Sequence, residues 1–212
     1  MPKGVLFDLD GTLIDSRRDI ASSVNRMLDD MGFAPRREED IYGFIGGGVY
    51  KLVIASLPPG QGNRVDEGVE RFWLIYRDHV LDTTVPYAGI PQSLGAMSGL
   101  KLAVATNKPL THTELILQGL GLSGLFSSVK GWKPGIPVKP APAILLLALQ
   151  EMDVEPGEAV MVGDSINDLL AARAAGVKCC LVGYGYGKKE TLIEAGPDFF
   201  ADRVEDLEEI IR

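Results

Sequence analysis

Short apolar runs alternate with amphipathic segments over most of the chain. Six runs predict buried strands: residues 4–8 with the sequence GVLFD, and residues 101–106, 126–131, 159–164, 178–183 and 198–201. Apolar residues at helical spacing predict helices between the later strands, over residues 111–120, 141–152, 167–175, 189–195 and 204–211. Strands that alternate with helices and are apolar on both faces predict an α/β fold built on a doubly wound parallel sheet.

The stretch from residue 16 to residue 82 shows no strand pattern and is helical in its spacing. Ser16 can cap a first helix that Gly32 ends, and apolar residues recur between them at Ile20, Val24, Met27, Leu28 and Met31. Residues 49–57 and 65–80 continue the pattern after breaks rich in glycine and proline. Because the block is too long for one crossover, we predict a separate helical domain over residues 16–84 and a core domain of residues 1–15 and 85–212.

Composition and charge narrow the classes of function. The 212 residues suffice for a full hydrophobic core, and the net charge of −8 without a basic stripe argues against binding to nucleic acid or to a membrane surface. The sequence has no signal-peptide pattern and no apolar run near the ~20 residues of a membrane span, so we expect a cytoplasmic protein. Cys179 and Cys180 are adjacent in a predicted strand and face opposite sides, which favours buried structural thiols over a disulfide or a metal site.

Polar side chains follow the predicted strands at the ends where parallel sheets bind ligands. These residues are Asp8, Asp10, Thr106, Asn107, Asp164 and, one helical turn further on, Asp168. Each motif also has a structural interpretation, as a tight turn after the first strand, a turn before Pro109 and a helix cap at Asp164-Ser165. Taken together, the motifs favour chemistry at one edge of the sheet.

Three carboxylates that converge at one sheet edge repel one another strongly unless a cation neutralises them. Asp8, Asp10 and Asp164 form such a group in the predicted sheet. Hard oxygen ligands of this kind suit Mg²⁺, which keeps several waters and shares its remaining positions with phosphate. The sequence therefore predicts a Mg²⁺ cofactor and a phosphate group in the substrate.

Four motifs, in this order and spacing, resemble the haloacid-dehalogenase superfamily of Mg²⁺-dependent phosphotransferases: DLDGT at residues 8–12, TNK at 106–108, KPAP at 139–142 and GDSINDLLAARAAG at 163–176. The resemblance covers the whole predicted core and implies a Rossmann-like sheet. The helical block lies where members with a small all-helical cap domain carry it. The position of this block, the TNK motif and the GYGYG segment at residues 183–187 resemble the phosphoglycolate phosphatase-like branch.

The resemblance also implies roles for the acidic residues. Asp8 would be the nucleophile that becomes an aspartyl phosphate, and Asp10 would be the general acid and later the base that activates water. Asp8, the backbone carbonyl of Asp10 and Asp164 would ligate Mg²⁺. Asp168 would be an outer or water-mediated partner of the ion.

The remaining implied roles concern the phosphate oxygens and a positive charge. By the same resemblance, Thr106 and the backbone amides around it and Asn107 would hold phosphate oxygens. Both Lys133 and Lys139 precede proline, but only Lys139 matches the family pattern K-P-x-P followed by an apolar helix, so we predict that Lys139 neutralises the nucleophile and the phosphoryl group. Lys108 is a weaker candidate, and its position is equally compatible with a solvated loop lysine.

The predicted activity is hydrolysis of a small phosphorylated metabolite, with phosphoglycolate favoured by the resemblance. Inorganic pyrophosphate and nucleoside monophosphates stay open as substrates of the same chemistry, and a phosphomutase is less favoured because no sugar-recognition motif accompanies the core. A signalling receiver domain is the alternative from another class, since it also phosphorylates an aspartate on a doubly wound sheet. Asp10 and the inserted helical block favour turnover, and the intact acidic set with Lys139 argues against a fold kept only for protein binding.

Several other residues carry no assigned role. His79 and His112 match no family motif and are predicted to be structural or solvent-facing. The run from Gly46 to Gly48 is compatible with a flexible turn or with a substrate loop. We expect the helical domain to act as a lid that supplies selectivity, in which Arg17 and Arg18 either contact a substrate carboxylate or lie exposed.

Overall fold

The computed structural model describes residues 2–211 of the chain, and these residues form two compact units. The first unit contains the described residues up to Asp15 together with those from Pro86 onward, and the second contains Ser16–Val85. The second unit ends at Val85, one residue beyond the end predicted for the helical domain. None of the described helices is long and apolar enough to cross a lipid bilayer.

A six-stranded parallel sheet forms the centre of the first unit. The strands of the described residues are β1 (Gly4–Phe7), β2 (Ile14–Asp15), β3 (Val85–Pro86), β4 (Lys101–Pro109), β5 (Ser128–Trp132), β6 (Ala159–Gly163), β7 (Lys178–Val182) and β8 (Phe199–Ala201). The large sheet has the order β5-β4-β1-β6-β7-β8, and the two short strands β2 and β3 pair separately. In β1, Gly4 is in register with Lys101 on one side and with Ala159 on the other.

The order of the strands explains where a ligand can bind. The chain runs from β1 to one side of the sheet through β4 and β5, and then to the other side through β6, β7 and β8. Open α/β sheets bind ligands at the carboxyl ends of the strands, where the winding direction reverses, and here that point is the end of β1. The predicted α/β fold with a doubly wound parallel sheet is confirmed.

The helices pack their apolar faces into two separate cores. In the described residues the α-helices are α1 (Arg17–Asp30), α2 (Glu38–Tyr42), α3 (Val49–Ser56), α4 (Val65–Asp78), α5 (Ile90–Ala96), α6 (Leu110–Gly119), α7 (Ala143–Met152), α8 (Ile166–Ala175), α9 (Lys189–Glu194) and α10 (Asp206–Ile211). In the first unit, one buried cluster joins Leu6 and Met161 of the sheet to Leu149 of α7 and Leu169 of α8. This packing holds the central strands between helices and fixes the position of their carboxyl ends.

Two elements of the first unit differ from the sequence prediction. Strand β4 continues to Pro109, past the predicted end at residue 106, and its register against β5 shifts between Ala105 and Pro109. Helix α5 was not predicted, because its seven residues include a proline and a glycine and carry too short a pattern. Its buried residues Ile90 and Leu94 supply the stabilising contacts that propensity does not.

The second unit is a bundle of the four helices α1–α4. Helix α4 packs against both α1 and α3, and the buried side chains include Met27, Val53 and Phe72. A Cβ atom added at Gly68 would lie 2.7 Å from Cγ1 of Val53, so the glycine allows this close approach. The unit therefore has a hydrophobic core of its own.

The glycine run and one histidine of the second unit have clear local surroundings. Gly46 and Gly48 have φ angles of +99° and +86°, which favour glycine, and Gly48 directly precedes α3. In His79, Nδ1 lies 2.7 Å from the Asp82 carboxylate and Nε2 contacts the Arg26 guanidinium. The histidine is thus part of a small polar cluster at the end of α4.

Asp19 is a buried carboxylate that ties α1 to the last residues of the second unit. It accepts hydrogen bonds from the backbone N–H and the hydroxyl of Thr83, at 2.9 and 2.6 Å, and from the same two groups of Thr84, at 2.9 and 2.7 Å. Nearby, Arg17 lies 5.8 Å from the centre of the Tyr42 ring, and Arg18 lines a polar cleft beside Asp19. The ends of the unit are thereby joined through one side chain.

Replacing Asp19 with alanine is expected to lower the free energy of unfolding by roughly 2–4 kcal/mol, because four donors lose their acceptor. Urea unfolding followed by circular dichroism measures the change. Asp29→Ala is the matched control, since Asp29 lies exposed on the same helix and its loss is expected to change stability by only about 0.5 kcal/mol or less. Equal stability losses in the two variants would contradict this role of Asp19.

Candidate active site

The Asp-Gly pair after β1 forms the predicted tight turn. Gly11 has a φ angle of +82°, its N–H donates to the Ile14 carbonyl at 2.9 Å, and the Ile14 N–H donates to the Leu9 carbonyl at 3.1 Å. A Cβ atom added at Gly11 would lie 2.1 Å from Oδ2 of Asp164. The turn therefore packs directly on Asp164, and the structural interpretation of the motif applies. The predicted carboxylate group of Asp8, Asp10 and Asp164 is wrong in one member, because Asp168 joins Asp8 and Asp164 while Lys108 holds the Asp10 carboxylate.

Asp8 stands at the end of the central strand. Its N–H donates to the Val162 carbonyl of β6 at 2.9 Å, which continues the pairing of β1 with β6 by one residue. Its Oδ1 accepts the N–H of Leu9 at 2.8 Å and lies 3.0 Å from Nζ of Lys139. The Lys139 side chain is only 1% exposed, so this ion pair is shielded from water.

Lys139 is the buried cation of the site. Besides Asp8, its ammonium donates to Oδ1 of Asp168 at 2.5 Å and to the Ala105 carbonyl at 2.8 Å. Burial lowers the pKa of Lys139, but the carboxylates of Asp168 and Asp8 outweigh burial, so the pKa is raised above its ordinary value. The Asn107 amide group donates to the Lys139 carbonyl at 3.1 Å and accepts its N–H at 2.7 Å. The Asn107 side chain thus positions the lysine, whereas the sequence pointed to its backbone amide.

Asp168 lies in the first turn of α8, where its side chain caps the helix and also contacts Lys139. Its Oδ2 accepts the N–H of Ser165 at 3.0 Å and the Ser165 hydroxyl at 2.6 Å, which forms a capping box at the start of the helix. A Cβ atom added at Gly163 would lie 2.3 Å from Cγ of Asp168, so the glycine permits the close packing of α8 on β6. Both carboxylate oxygens of Asp168 are therefore engaged by protein donors.

Asp164 is enclosed by the segment of residues 183–187. Its Oδ2 accepts the backbone N–H of Tyr186 at 2.7 Å. Cβ atoms added at Gly185 and Gly187 would lie 2.3 Å from a carbonyl oxygen of the turn and 2.2 Å from the Asp164 carbonyl oxygen. In the sequence, the GYGYG segment carried only a resemblance to the phosphoglycolate phosphatase-like branch. Its alternating glycines were the signal of this close backbone approach.

Asp8, Asp164 and Asp168 bring one carboxylate oxygen each within 4.8 Å of one another. Burial, followed by the charges of Asp168 and Asp8, raises the pKa of Asp164 well above its ordinary range. Burial also raises the pKa of Asp8 to about 6, against the opposing charge of Lys139. Buried oxygen ligands that repel one another fit a hard divalent cation, and the engagement of Asp168 leaves Asp8 and Asp164 to face it.

Thr106 and Lys108 lie in the irregular end of β4. Thr106 is buried, its hydroxyl hydrogen-bonds with Asp8, and the same oxygen accepts the Lys108 N–H at 3.3 Å. The Lys108 side chain is 4% exposed, and its Nζ lies 2.9 Å from each carboxylate oxygen of Asp10. The interpretation of Lys108 as a solvated loop lysine is therefore wrong. The predicted strand ended at residue 106, before Pro109, which left Lys108 in a loop. In the structure β4 continues to Pro109 and includes the lysine.

The cysteines and His112 lie outside the carboxylate cluster. Cys179 and Cys180 are free and buried in β7, as predicted, and burial raises the pKa of Cys180 to about 12. His112 is buried in α6, and its Nδ1 lies 3.3 Å from the Thr111 hydroxyl. Lys133, the other lysine that precedes proline, is exposed. The candidate catalytic groups are therefore the aspartates, Thr106 and the two buried lysines, Lys108 and Lys139.

The chain matches the family described as Haloacid dehalogenase-like hydrolase over residues 5–182. The match covers most of the sequence and contains every residue of the carboxylate cluster. The protein therefore belongs to the haloacid dehalogenase-like hydrolases. The resemblance seen in the motifs is confirmed, and with it the prediction that the chain is an enzyme.

Individual relatives indicate which branch of the family this chain resembles. Phosphoglycolate phosphatase of Chromobacterium violaceum is 35% identical over 217 residues, which cover 99% of this chain and 96% of that protein. Phosphoglycolate phosphatase of Aquifex aeolicus is 37% identical over 209 residues, which cover 96% of this chain and 93% of that protein. The prediction of a chain similar to the phosphoglycolate phosphatase branch is confirmed. Similarity to hydrolases also decides against a signalling receiver domain.

Solved structures agree with this assignment. A predicted phosphoglycolate phosphatase from Haemophilus somnus has a TM-score of 0.89 and 29% identity, and the match covers 99% of this chain and 98% of that one. CbbY from Rhodobacter sphaeroides in complex with phosphate has a TM-score of 0.77 and 27% identity, over 98% of this chain and 96% of that one. The fold and the family thus extend over nearly the full length of the sequence.

Proposed function

We propose that the protein hydrolyses a small phosphate monoester through an aspartyl phosphate on Asp8, and that phosphoglycolate is its substrate. The observation that carries the proposal is the Asp8 carboxylate, which ends the central strand 3.0 Å from the Lys139 ammonium and belongs to a cluster of three carboxylates. Hydrolysis of phosphate monoesters needs accelerations of up to ~10²¹-fold, which calls for a nucleophile, charge neutralisation and protonation of the leaving group. Each of these needs has a candidate residue here.

In the first half-reaction, an oxygen of Asp8 attacks phosphorus and the bond from phosphorus to the leaving oxygen breaks. Lys139 stays protonated because its pKa is raised, and its charge offsets that of Asp8 and the transferring phosphoryl group. The Thr106 hydroxyl and the backbone amides at residues 106 and 107 hold the phosphate oxygens. Asp10 gives its proton to the leaving oxygen as the bond breaks.

In the second half-reaction, Asp10 takes a proton from a water molecule as that water attacks phosphorus. The bond between phosphorus and the Asp8 oxygen breaks, which releases inorganic phosphate and restores the carboxylate. Asp8, Asp164 and the backbone carbonyl of Asp10 would hold the Mg²⁺ that the family resemblance implies. The ion would supply positive charge to the carboxylates and the phosphate.

The choice of phosphoglycolate rests on the names of the relatives, and a phosphate-bearing substrate is further supported by the similar structure of CbbY, which is in complex with phosphate. Inorganic pyrophosphate and nucleoside monophosphates need the same core chemistry and are the alternative substrates. A phosphomutase is less favoured. We also propose that residues 16–84 serve as the cap domain that the resemblance implies, with residues 1–15 and 85–212 as the catalytic core.

A panel of phosphate esters tests the proposal. We expect kcat/KM for phosphoglycolate to exceed that for pyrophosphate, nucleoside monophosphates and hexose phosphates by roughly 10-fold or more, because a matched leaving group adds contacts in the transition state. Chelation is expected to abolish activity and added Mg²⁺ to restore it, since the donors are carboxylate and carbonyl oxygens. A thiol-blocking reagent is the matched negative control, because both cysteines are buried and neither belongs to the carboxylate cluster.

Three outcomes would contradict parts of this proposal. Full activity in metal-free buffer would contradict the cation site. Preference for pyrophosphate or a nucleotide would keep the chemistry and overturn the substrate. Transfer of phosphate between sugar positions without release of inorganic phosphate would make the enzyme a mutase.

A further inference from the structure

Lys108 is a buried cation that the proposed mechanism does not use. Its side chain is 4% exposed, and an ammonium group out of water is costly unless it is paired. Its Nζ lies 2.9 Å from both oxygens of Asp10, whose side chain is 17% exposed. One ammonium between both oxygens fits an ionised carboxylate, and the contact restrains rotation of this group about its last bond.

The backbone around Lys108 is held firmly enough to aim this side chain. The Lys108 N–H donates to the Thr106 hydroxyl at 3.3 Å, within the part of β4 where the register against β5 shifts. A Cβ atom added at Gly131 of β5 would lie 2.7 Å from the Lys108 carbonyl oxygen and equally close to the backbone of Leu110. The neighbouring strand therefore packs directly on this segment, and Lys108 projects from a fixed backbone.

The two buried lysines have separate partners. Lys139 contacts Asp8, Asp168 and the Ala105 carbonyl, which matches its proposed charge on the nucleophile. Lys108 contacts the other aspartate of the DLDGT motif. Each aspartate thus has its own cation: Lys139 lies beside Asp8, the proposed nucleophile, and Lys108 lies beside Asp10, the proposed group for proton transfer.

We infer that Lys108 is a positioning residue for Asp10. When Asp10 is protonated, one oxygen carries the proton that goes to the leaving oxygen, and the other still accepts from Lys108, which holds the carboxyl group in orientation. This inference rests on the proposed function, in which Asp10 is the general acid. Protonation matters most when the leaving oxygen is strongly basic, as in an alkyl phosphate, and little when it is a nitrophenolate. A loss of orientation at Asp10 is therefore visible as a dependence on the leaving group.

The experiment compares Lys108→Met with Lys133→Met, an exposed lysine of the same chain, on three substrates. Ethyl phosphate has a basic leaving group without a carboxylate, phosphoglycolate has both, and 4-nitrophenyl phosphate has a weakly basic leaving group. We expect Lys108→Met to lower kcat/KM for the two alkyl phosphates by roughly 10- to 100-fold, and for 4-nitrophenyl phosphate by about threefold or less. Lys133→Met is expected to match the wild type on all three.

Each other pattern overturns the inference. An equal loss on all three substrates would assign Lys108 to the phosphate or to folding, and because the ratio is taken within one preparation, partial misfolding cannot imitate the expected pattern. A loss on phosphoglycolate alone would make Lys108 a binding group for the substrate carboxylate. No loss on any substrate would also contradict the inference.

A double-mutant cycle isolates the coupling to Asp10. Phosphoenzyme formation from ethyl phosphate and from 4-nitrophenyl phosphate is measured by rapid quench in the wild type, in Asp10→Asn, in Lys108→Met and in the double variant. If Lys108 acts through Asp10, its removal adds no further leaving-group dependence once Asp10 is replaced, whereas full additivity would contradict that coupling. Wild-type protein that hydrolyses none of the three substrates would overturn the proposed function itself, a result separate from every outcome above.

Discussion

Asp8→Asn is expected to abolish hydrolysis of phosphate monoesters, with kcat lower by ~10⁴-fold or more, as loss of a covalent nucleophile usually causes. The amide that replaces the carboxylate is a poor nucleophile, and it cannot carry the charge that Lys139 meets at 3.0 Å. Steady-state assays with an aryl phosphate and with phosphoglycolate measure the loss. Activity within about tenfold of wild type would mean that Asp8 is not the nucleophile.

Chemical trapping gives the same test an independent readout. Acid quenching of wild-type protein during turnover, followed by borohydride reduction, converts an aspartyl phosphate into homoserine, which peptide mass spectrometry locates. We expect the modification at residue 8 and at no other aspartate. Asp29→Asn, at an exposed position on α1, is the control that keeps both activity and the trapped residue. Homoserine at position 10 or 164 would show that Asp8 is not the nucleophile.

Lys139→Met is expected to lower kcat by roughly 10²-fold or more, because a preorganised charge next to the reacting group is lost. The substitution also leaves Asp8, Asp168 and the Ala105 carbonyl without a donor that each now has. Removing one partner of a buried ion pair costs about 3–5 kcal/mol, so the variant is expected to be less stable as well. Kinetics are therefore measured well below its unfolding temperature.

The matched comparison is Lys133→Met, since both lysines precede proline but Lys133 is exposed. We expect this variant to keep both the activity and the stability of the wild type. A larger loss of activity in Lys133→Met than in Lys139→Met would show that the sequence motif was aligned to the wrong lysine.

The strands and the carboxyl-end aspartates could be predicted because each is coded locally. Apolar runs such as GVLFD specify buried strands, and the strand ends bring Asp8 and Asp164 to one edge whatever the loops do. What Lys108 and Asn107 contact could not be predicted in the same way. Their partners Asp10 and Lys139 are distant in sequence, and the contacts depend on the register shift of β4 and on backbone approaches that only the folded chain creates.

The role of Asp168 was partly visible. The sequence predicted a helix cap at Asp164-Ser165, and the resemblance implied that Asp168 is an outer partner of a metal ion. In the structure, Oδ2 of Asp168 accepts the hydrogen bonds of Ser165 that cap α8. Its Oδ1 accepts from Lys139 and holds this cation beside Asp8. A single sequence carries no signal for that combination, since the lysine lies 29 residues earlier in the chain.

The first turn of α8 holds part of the candidate site as well as part of the fold, because Asp168 contacts both Ser165 and Lys139. Fraying of this turn would release Asp168 from Ser165 and from Lys139 together, and would expose a buried cation and its carboxylates at a cost of roughly 3–5 kcal/mol. The free energy of this opening is much larger than that of the fraying that helix ends usually undergo. The geometry of Asp168, Lys139 and Asp8 is therefore coupled to the cooperative unfolding of the core, and it persists about as long as the native state does.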